Sequence, residues 1–402
     1  MVRRVELDHA GGAGNRNFEC ETMKIRGMTA IGWVVSGVLG SSLCVRAAVS
    51  AEISDAIAAL HRVGPTGQGN AEAKASWRTL STSAVSTLPS LLDALEGANE
   101  LSANWLRSAA DAVFSRALDA KQAVPTAELG ALLMDTSRSP RARGLAFELL
   151  QRAQPEVAET LVPGFLNDPA PELRREAVAR CITRAVQAKT ASNPALATLV
   201  YQQALAAARD ADQIEQASKA LRELGQVVDL SRVFGFLTDW KVVGPFDSTK
   251  GVGFVHVYPP EQGIDLAAEY EGKEKKASWK DFKAADEMGT VDMNKVFGTQ
   301  KGVAAYAYSE FRSDSARPVE LRLACQNAWK VWVNGQYVFG RDEYHRGLEI
   351  DQYRLPIALQ SGVNRILVKV CQDEQKEEWT VQWQFQLRLC DASGTPIRPS
   401  KP

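Results

Sequence analysis

The hydrophobic period of this chain changes once, near Phe234, and that change limits what each side of it can fold into. From about Glu52 to Gly225, apolar residues recur at intervals of three and four against a background of Ala, Leu, Arg and Glu. That spacing lines one side of an α-helix. From "FLTDWKVVGPFD" onward, Val, Tyr, Trp and Phe are interleaved with polar residues and helix signals are few. Many short strands without intervening helices predict an antiparallel β-sandwich. The expected fold class is multidomain α + β. Helices fill 52–226, a linker spans 227–235, and a sandwich occupies 236–398 with a charged insertion at 261–302.

One helical unit is clear: "PEVAETLVPGFLNDPAPELRREAVARCI", 155–182. Pro155 opens a helix with Val157, Leu161, Val162 and Phe165 near one face. Pro169 and Pro171 stop it, because proline cannot continue the backbone ladder. A second helix begins at Glu172 and buries Leu173, Ala177 and Ile182. "SPRARGLAFELL" from Ser139 aligns with "APELRREAVARC" from Ala170, matching Pro140 to Pro171 and Arg143 to Arg174. A looser copy runs from Leu88. Asp-Pro turns joining paired helices, with an Arg early in the second, resemble HEAT repeats over about 80–225. The last pair, from Pro194, fits a tetratricopeptide reading equally. Helix pairs of either kind stack to bury their apolar sides, which implies an N-terminal α-solenoid and a protein partner on it.

Strands are expected at about 304–311, 319–325, 329–333, 336–340, 353–359, 364–371 and 379–390, and the insertion is expected to be loop with short pieces of structure. In "WTVQWQFQLRLC", Trp379, Val381, Trp383, Phe385, Leu387 and Leu389 alternate with polar residues, so all six are read as one buried face. "VWVNGQYV" is a hairpin, with Asn334-Gly335 as a type I′ turn. Trp332 projects from the sheet opposite Val331 and Val333. It is either packed under another segment such as the insertion or part of a binding surface.

If the strands run antiparallel in succession, their connections alternate between two ends. Asn334-Gly335 and 360–364 share one end. Residues 326–328, 341–352 and 372–378 share the other, which gathers Gln326, Asn327, Arg341, Asp342, Tyr344, His345, Asp373 and Glu374. Loops at one end of a rigid sandwich are where ligands are held. Arg341 and Asn327 donate to hydroxyls, Tyr344 offers a ring face, and Asp342 and Asp373 accept hydroxyls or hold calcium. Asn334-Gly335, Tyr344-His345, Asp351 and Gly362-Val363-Asn364, after an opening "WKVVGPFD", look like a galactose-binding-like jelly roll over about 236–392. That resemblance implies a fold that accompanies many carbohydrate-binding proteins. The whole arrangement resembles exported HEAT-repeat proteins of planctomycete bacteria.

Net charge is −1, and the basic residues at 138–152 and 174–189 are interleaved with acids, so nucleic acid is not an expected partner. "MKIRGMTAIGWVVSGVLGSSLCVRAAVSAE" from Met23 has the grammar of a secretory signal peptide, with a cut expected after Ala51 and no membrane association afterwards. An uncleaved N-terminal anchor is the alternative, and Met23 competes with Met1 as the start. Export to the periplasm or beyond permits disulfides. Cys181, Cys325, Cys371 and Cys390 are nevertheless expected as free, mostly buried thiols. His9, His61, His256 and His345 are scattered and no CxxC occurs, which argues against zinc. There is no GxSxG, Walker loop or HExxH. The expectation is a non-catalytic binding protein with a glycan ligand. A protein-interaction scaffold without a sugar and an accessory subunit of a glycan-degrading enzyme are the alternatives.

Overall fold

The computed structural model describes residues 50–400. The expected signal peptide, and with it the choice between cleavage and anchor, lies outside the described residues. Ser50 accepts a hydrogen bond from the Ile53 amide (3.3 Å) and caps the first helix, Ala51–His61. A cut after Ala51 would remove that cap.

A helical region comes first. Helices run Ala51–His61, Asn70–Ser81, Leu88–Asp93, Glu100–Asp119, Thr126–Met134, Pro140–Ala153, Pro155–Leu161, Pro171–Thr190, Pro194–Ala207, Ala211–Glu223 and Leu230–Phe234. Proline in the first turn, where the missing N–H has no helical partner, opens several of them. Asn99, Ser139 and Asn193 cap others through their side chains. The aligned arginines have a shared physical use. Arg143 is buried and makes two hydrogen bonds of 2.6 Å to the Asp168 carboxylate and one of 2.8 Å to the Leu133 carbonyl. Asp168 in turn accepts from the Ala170 amide at 2.8 Å, and Arg174 donates to the Asp168 carbonyl at 2.9 Å. One Asp-Pro turn is thus held by two successive arginines. Leu173, Ala177 and Ile182 are buried as expected. Val157 is exposed and Ala158 is buried in its place, because the helix stops at Leu161 and a 3₁₀ turn, Val162–Phe165, resets the face.

Antiparallel sheets follow. The strands are β1 (Asp239–Asp247), β2 (Glu269–Glu271), β3 (Lys276–Ser278), β4 (Lys280–Lys283), β5 (Val291–Asp292), β6 (Val303–Ser313), β7 (Arg317–Cys325), β8 (Trp329–Val333), β9 (Gln336–Arg341), β10 (Tyr353–Leu359), β11 (Gly362–Gln372) and β12 (Gln384–Cys390). One sheet has the order β4-β1-β6-β11-β8-β9, a second β10-β7-β12-β5, and β2 pairs with β3. Val242, Ala305, Val331 and Val368 of the six-stranded sheet share one buried cluster with Leu321, Leu323, Phe385 and Leu387 of the four-stranded sheet.

The insertion contributes more than the expected loop. Its β4 pairs with β1 and its β5 with β12, so it supplies an edge strand to each sheet. Phe254, Tyr258, Tyr270 and Trp279 then cover the outer face of the six-stranded sheet, packing on Tyr306, Tyr308, Trp332 and Leu367. The last strand is shorter than its alternation predicts. Trp383, Phe385, Leu387 and Leu389 are buried, but Trp379 is 64% exposed and Val381 is exposed as well. A 3₁₀ turn at Glu378–Thr380 breaks the alternation before the strand begins, and it buries Thr380 instead.

The helical region meets the four-stranded sheet through buried charge. Asp351 accepts from Arg388 Nε (2.7 Å) and Arg322 Nη1 (2.6 Å), and Arg388 Nη1 donates to the Phe234 carbonyl (3.0 Å). Arg209 Nε donates to Thr395 Oγ1 at 3.0 Å, and Arg174 reaches the Ser393 carbonyl. The jelly-roll pattern marked Asp351 before its strand. Here that residue is the anion between two buried guanidiniums.

Candidate functional site

The alternation of strand connections is visible in side-chain contacts. At one end, Asn334 donates to Asn364 Oδ1 (2.9 Å) and accepts from the Arg365 amide (2.9 Å), with Asn334 at φ 51° and Gly335 at φ 78°. At the other end, loops 326–328, 341–352 and 372–378 come together as expected. His345 Nε2 lies 2.8 Å from Asp373 Oδ2. Asn327 donates to Gln372 Oε1 (3.2 Å) and to the Gln382 carbonyl (2.9 Å), and its own oxygen accepts from the His345 amide (3.4 Å).

These contacts sort the predicted residues. Asn327 is buried and fully used in fixing the loops, so it has no donor left for a ligand. Tyr344 is half-buried in the cluster on the outer sheet face, and its hydroxyl is enclosed without a partner among the described residues. Burial, with Cys371 and Asp342 nearby, pushes that phenol well above its ordinary range. Tyr344 is therefore partly a packing residue rather than the loose loop residue expected. Arg341 and Asp342 are exposed, with the Arg341 guanidinium 5.9 Å from the Phe339 ring. Glu374 accepts from the Lys250 amide at 2.9 Å. Gln326 donates to Gln382, an exposed amide at the same rim. Trp332 is buried away from this end, against Tyr337 and under the insertion.

The rim also contains a residue that sequence reasoning placed in the core. Trp379 is exposed, and its ring stands edge-on to His345 with centroids 5.1 Å apart. The turn that carries it is pinned from beneath. Thr380 Oγ1 donates to the carbonyls of Gln375 (2.9 Å) and Glu377 (2.7 Å), while Gln372 and Lys301 both donate to the Thr380 carbonyl. The hydrophilic run "DEQKEE" immediately before Trp379 was the available sign of a loop. An exposed indole, a His–Asp pair, two glutamine amides and an arginine therefore border one rim.

The thiols near this rim are poor nucleophiles. Burial pushes Cys325 and Cys371 up to about 12, which leaves them as thiols near neutral pH. All four described cysteines are free, and only Cys181 is partly exposed. Among the described residues, no group of three or more His, Cys, Asp or Glu side chains is arranged to hold a metal ion. No described helix is long and apolar enough to cross a membrane. No protein-family model matches the chain, and no curated protein matches its sequence.

Proposed function

We propose that this chain is a non-catalytic, exported binding protein whose sheets form a jelly-roll sandwich holding a glycan at the Trp379 rim. The exposed Trp379 on its pinned turn carries the reading. An indole face packs against the C–H face of a sugar ring, and a fixed turn holds it in place before the ligand arrives. His345 and the glutamine amides around it both donate and accept, as hydroxyls require. The helical region is read as a HEAT-like solenoid, supported by the Arg143–Asp168 clamp at its Asp-Pro turn. A protein partner on that region is the second part of the proposal. It is favoured by Val186 and Leu199, exposed on the adjoining helices Pro171–Thr190 and Pro194–Ala207.

A glycan array probed with residues 52–402 tests the ligand class. Saturable binding to a defined set of glycans is expected. Failure to bind any glycan, alongside capture of a protein by the same preparation, would instead favour the scaffold reading.

A further inference from the structure

A groove of about 690 Å³ lies on the outer face of the six-stranded sheet, at the Asn334–Gly335 end and away from the Trp379 rim. This is the end expected to hold no ligand. Strand register explains its form. Leu367 of β11 stands opposite both Tyr308 of β6 and Trp332 of β8, so these three residues make one row across three strands. In the next row, Arg365 stands opposite Glu310. On the other side of the floor, Pro260 and the start of the insertion, 261–264, supply a wall. That wall is fixed, because Glu261 accepts from Lys369 Nζ at 2.7 Å and from the Tyr306 hydroxyl. The floor spans two inter-strand gaps, roughly 10 Å.

We propose that this groove is a second binding site, for a short neutral oligosaccharide laid across β8, β11 and β6. The choice of ligand class rests on the glycan reading above; the location does not. Three charged groups line the groove: Glu261, Glu310 and Arg365. The buried Lys369 behind the wall pairs with Glu261 at 2.7 Å and offsets it, and Arg365 stands opposite Glu310, so neither an anion nor a cation is favoured. Arg365 makes no ion pair among the described residues, and Glu310 accepts from the Tyr308 hydroxyl at 2.6 Å. The exposed Arg365 guanidinium, which also bears on the Tyr308 hydroxyl, sits beside a carboxylate with acceptor capacity to spare. Adjacent hydroxyls of a sugar can use both. Tyr308, Leu367 and Trp332 are largely buried and leave only narrow apolar edges at the groove floor, which the C–H edge of a sugar can meet. An extended peptide is a poorer fit. It binds a sheet through a free edge, whereas β11 is already paired with β6 on one side and β8 on the other.

Gly263 gives a clean way to fill the groove. Its φ of 176° is ordinary extended backbone, and a Cβ added there meets nothing within 4 Å. The test uses the full chain, with cellohexaose, xylohexaose, mannohexaose and maltohexaose as probes in titration calorimetry. Gly263→Trp, and separately the double variant Glu310→Ala/Arg365→Ala, should weaken one class of sites at least about tenfold. Melting temperature should stay at the parent value, since the altered positions are exposed. Trp379→Ala should spare that class of sites. If both groove variants bind every probe as the parent does and Trp379→Ala removes all binding, the groove proposal is overturned and the rim reading stands. If only the groove variants lose binding, the groove stands and the rim reading falls. If the parent binds none of the probes but binds an extended peptide that Gly263→Trp displaces, the ligand class proposed here is wrong.

Discussion

Replacing Asp351 with alanine removes the carboxylate that two buried guanidiniums share. The side chains of Arg322 and Arg388 are 6% and 1% exposed, and that of Asp351 is 8% exposed. Deleting one member of a buried ion pair costs about 3–5 kcal/mol, because the remaining charge is left without its partner. Two contacts survive here: Arg322 keeps Glu320 at 2.7 Å, and Arg388 keeps the Phe234 carbonyl. The loss should therefore fall near the lower bound, about 3 kcal/mol. Urea unfolding at pH 7 measures it. The structure also fixes the pH dependence. Burial pushes the Asp351 carboxyl up, but Arg388 and Arg322 together outweigh burial and leave it below its ordinary value. A lowered carboxyl stabilises the fold fully above its unfolded pKa, about 3.9, and loses that contribution as pH falls through the lower folded value. The stability gap between parent and Asp351→Asn should be constant near neutrality and close below about pH 4. An Asp351→Ala loss under about 1 kcal/mol, or a gap that does not change with pH, would contradict the assignment of this carboxylate as a buried anion.

Other outcomes follow from the same contacts. Trp383→Ala should cost about 3–5 kcal/mol in thermal or urea unfolding, because that side chain is fully buried and donates to the Val370 carbonyl at 3.2 Å. Arg143→Ala should cost about 3 kcal/mol or more by leaving Asp168 buried beside an empty space, and circular dichroism should register the loss as lower helical melting. The proposed export, which rests on the sequence from Met23 and not on these contacts, predicts that mass spectrometry of protein recovered from the native host will place the N-terminus near Glu52. An intact 23–51 segment would favour the anchor.

Much of the sheet region was legible because its signals are local. Asn334-Gly335 dictates a turn whatever surrounds it, and alternation from Trp383 to Leu389 reports a half-buried strand. The pairing of loops into two ends also followed, since antiparallel succession is a counting rule. Three things were not legible, for one physical reason: each depends on contacts distant in sequence. Trp379 continues the strand's alternation perfectly, yet Lys301 and Gln372 hold Thr380 in a turn that removes it from the sheet. The insertion reads as charged loop because β4 and β5 are short and take their order from β1 and β12. Asn327 has the chemistry of a ligand donor, and nothing local shows that Gln372 and Gln382 occupy it. In the helical region, the alignment of Arg143 with Arg174 carried real information, since both reach the same Asp-Pro turn.

The rim is tested most directly by titration calorimetry of whichever glycan the array selects for it, comparing the parent with Trp379→Ala. Trp379 is exposed and supports no core, so the variant should melt as the parent does. The account predicts a loss of about tenfold or more in affinity at unchanged stability, from the missing ring contact. Parent-like affinity in a normally folded Trp379→Ala protein would contradict it.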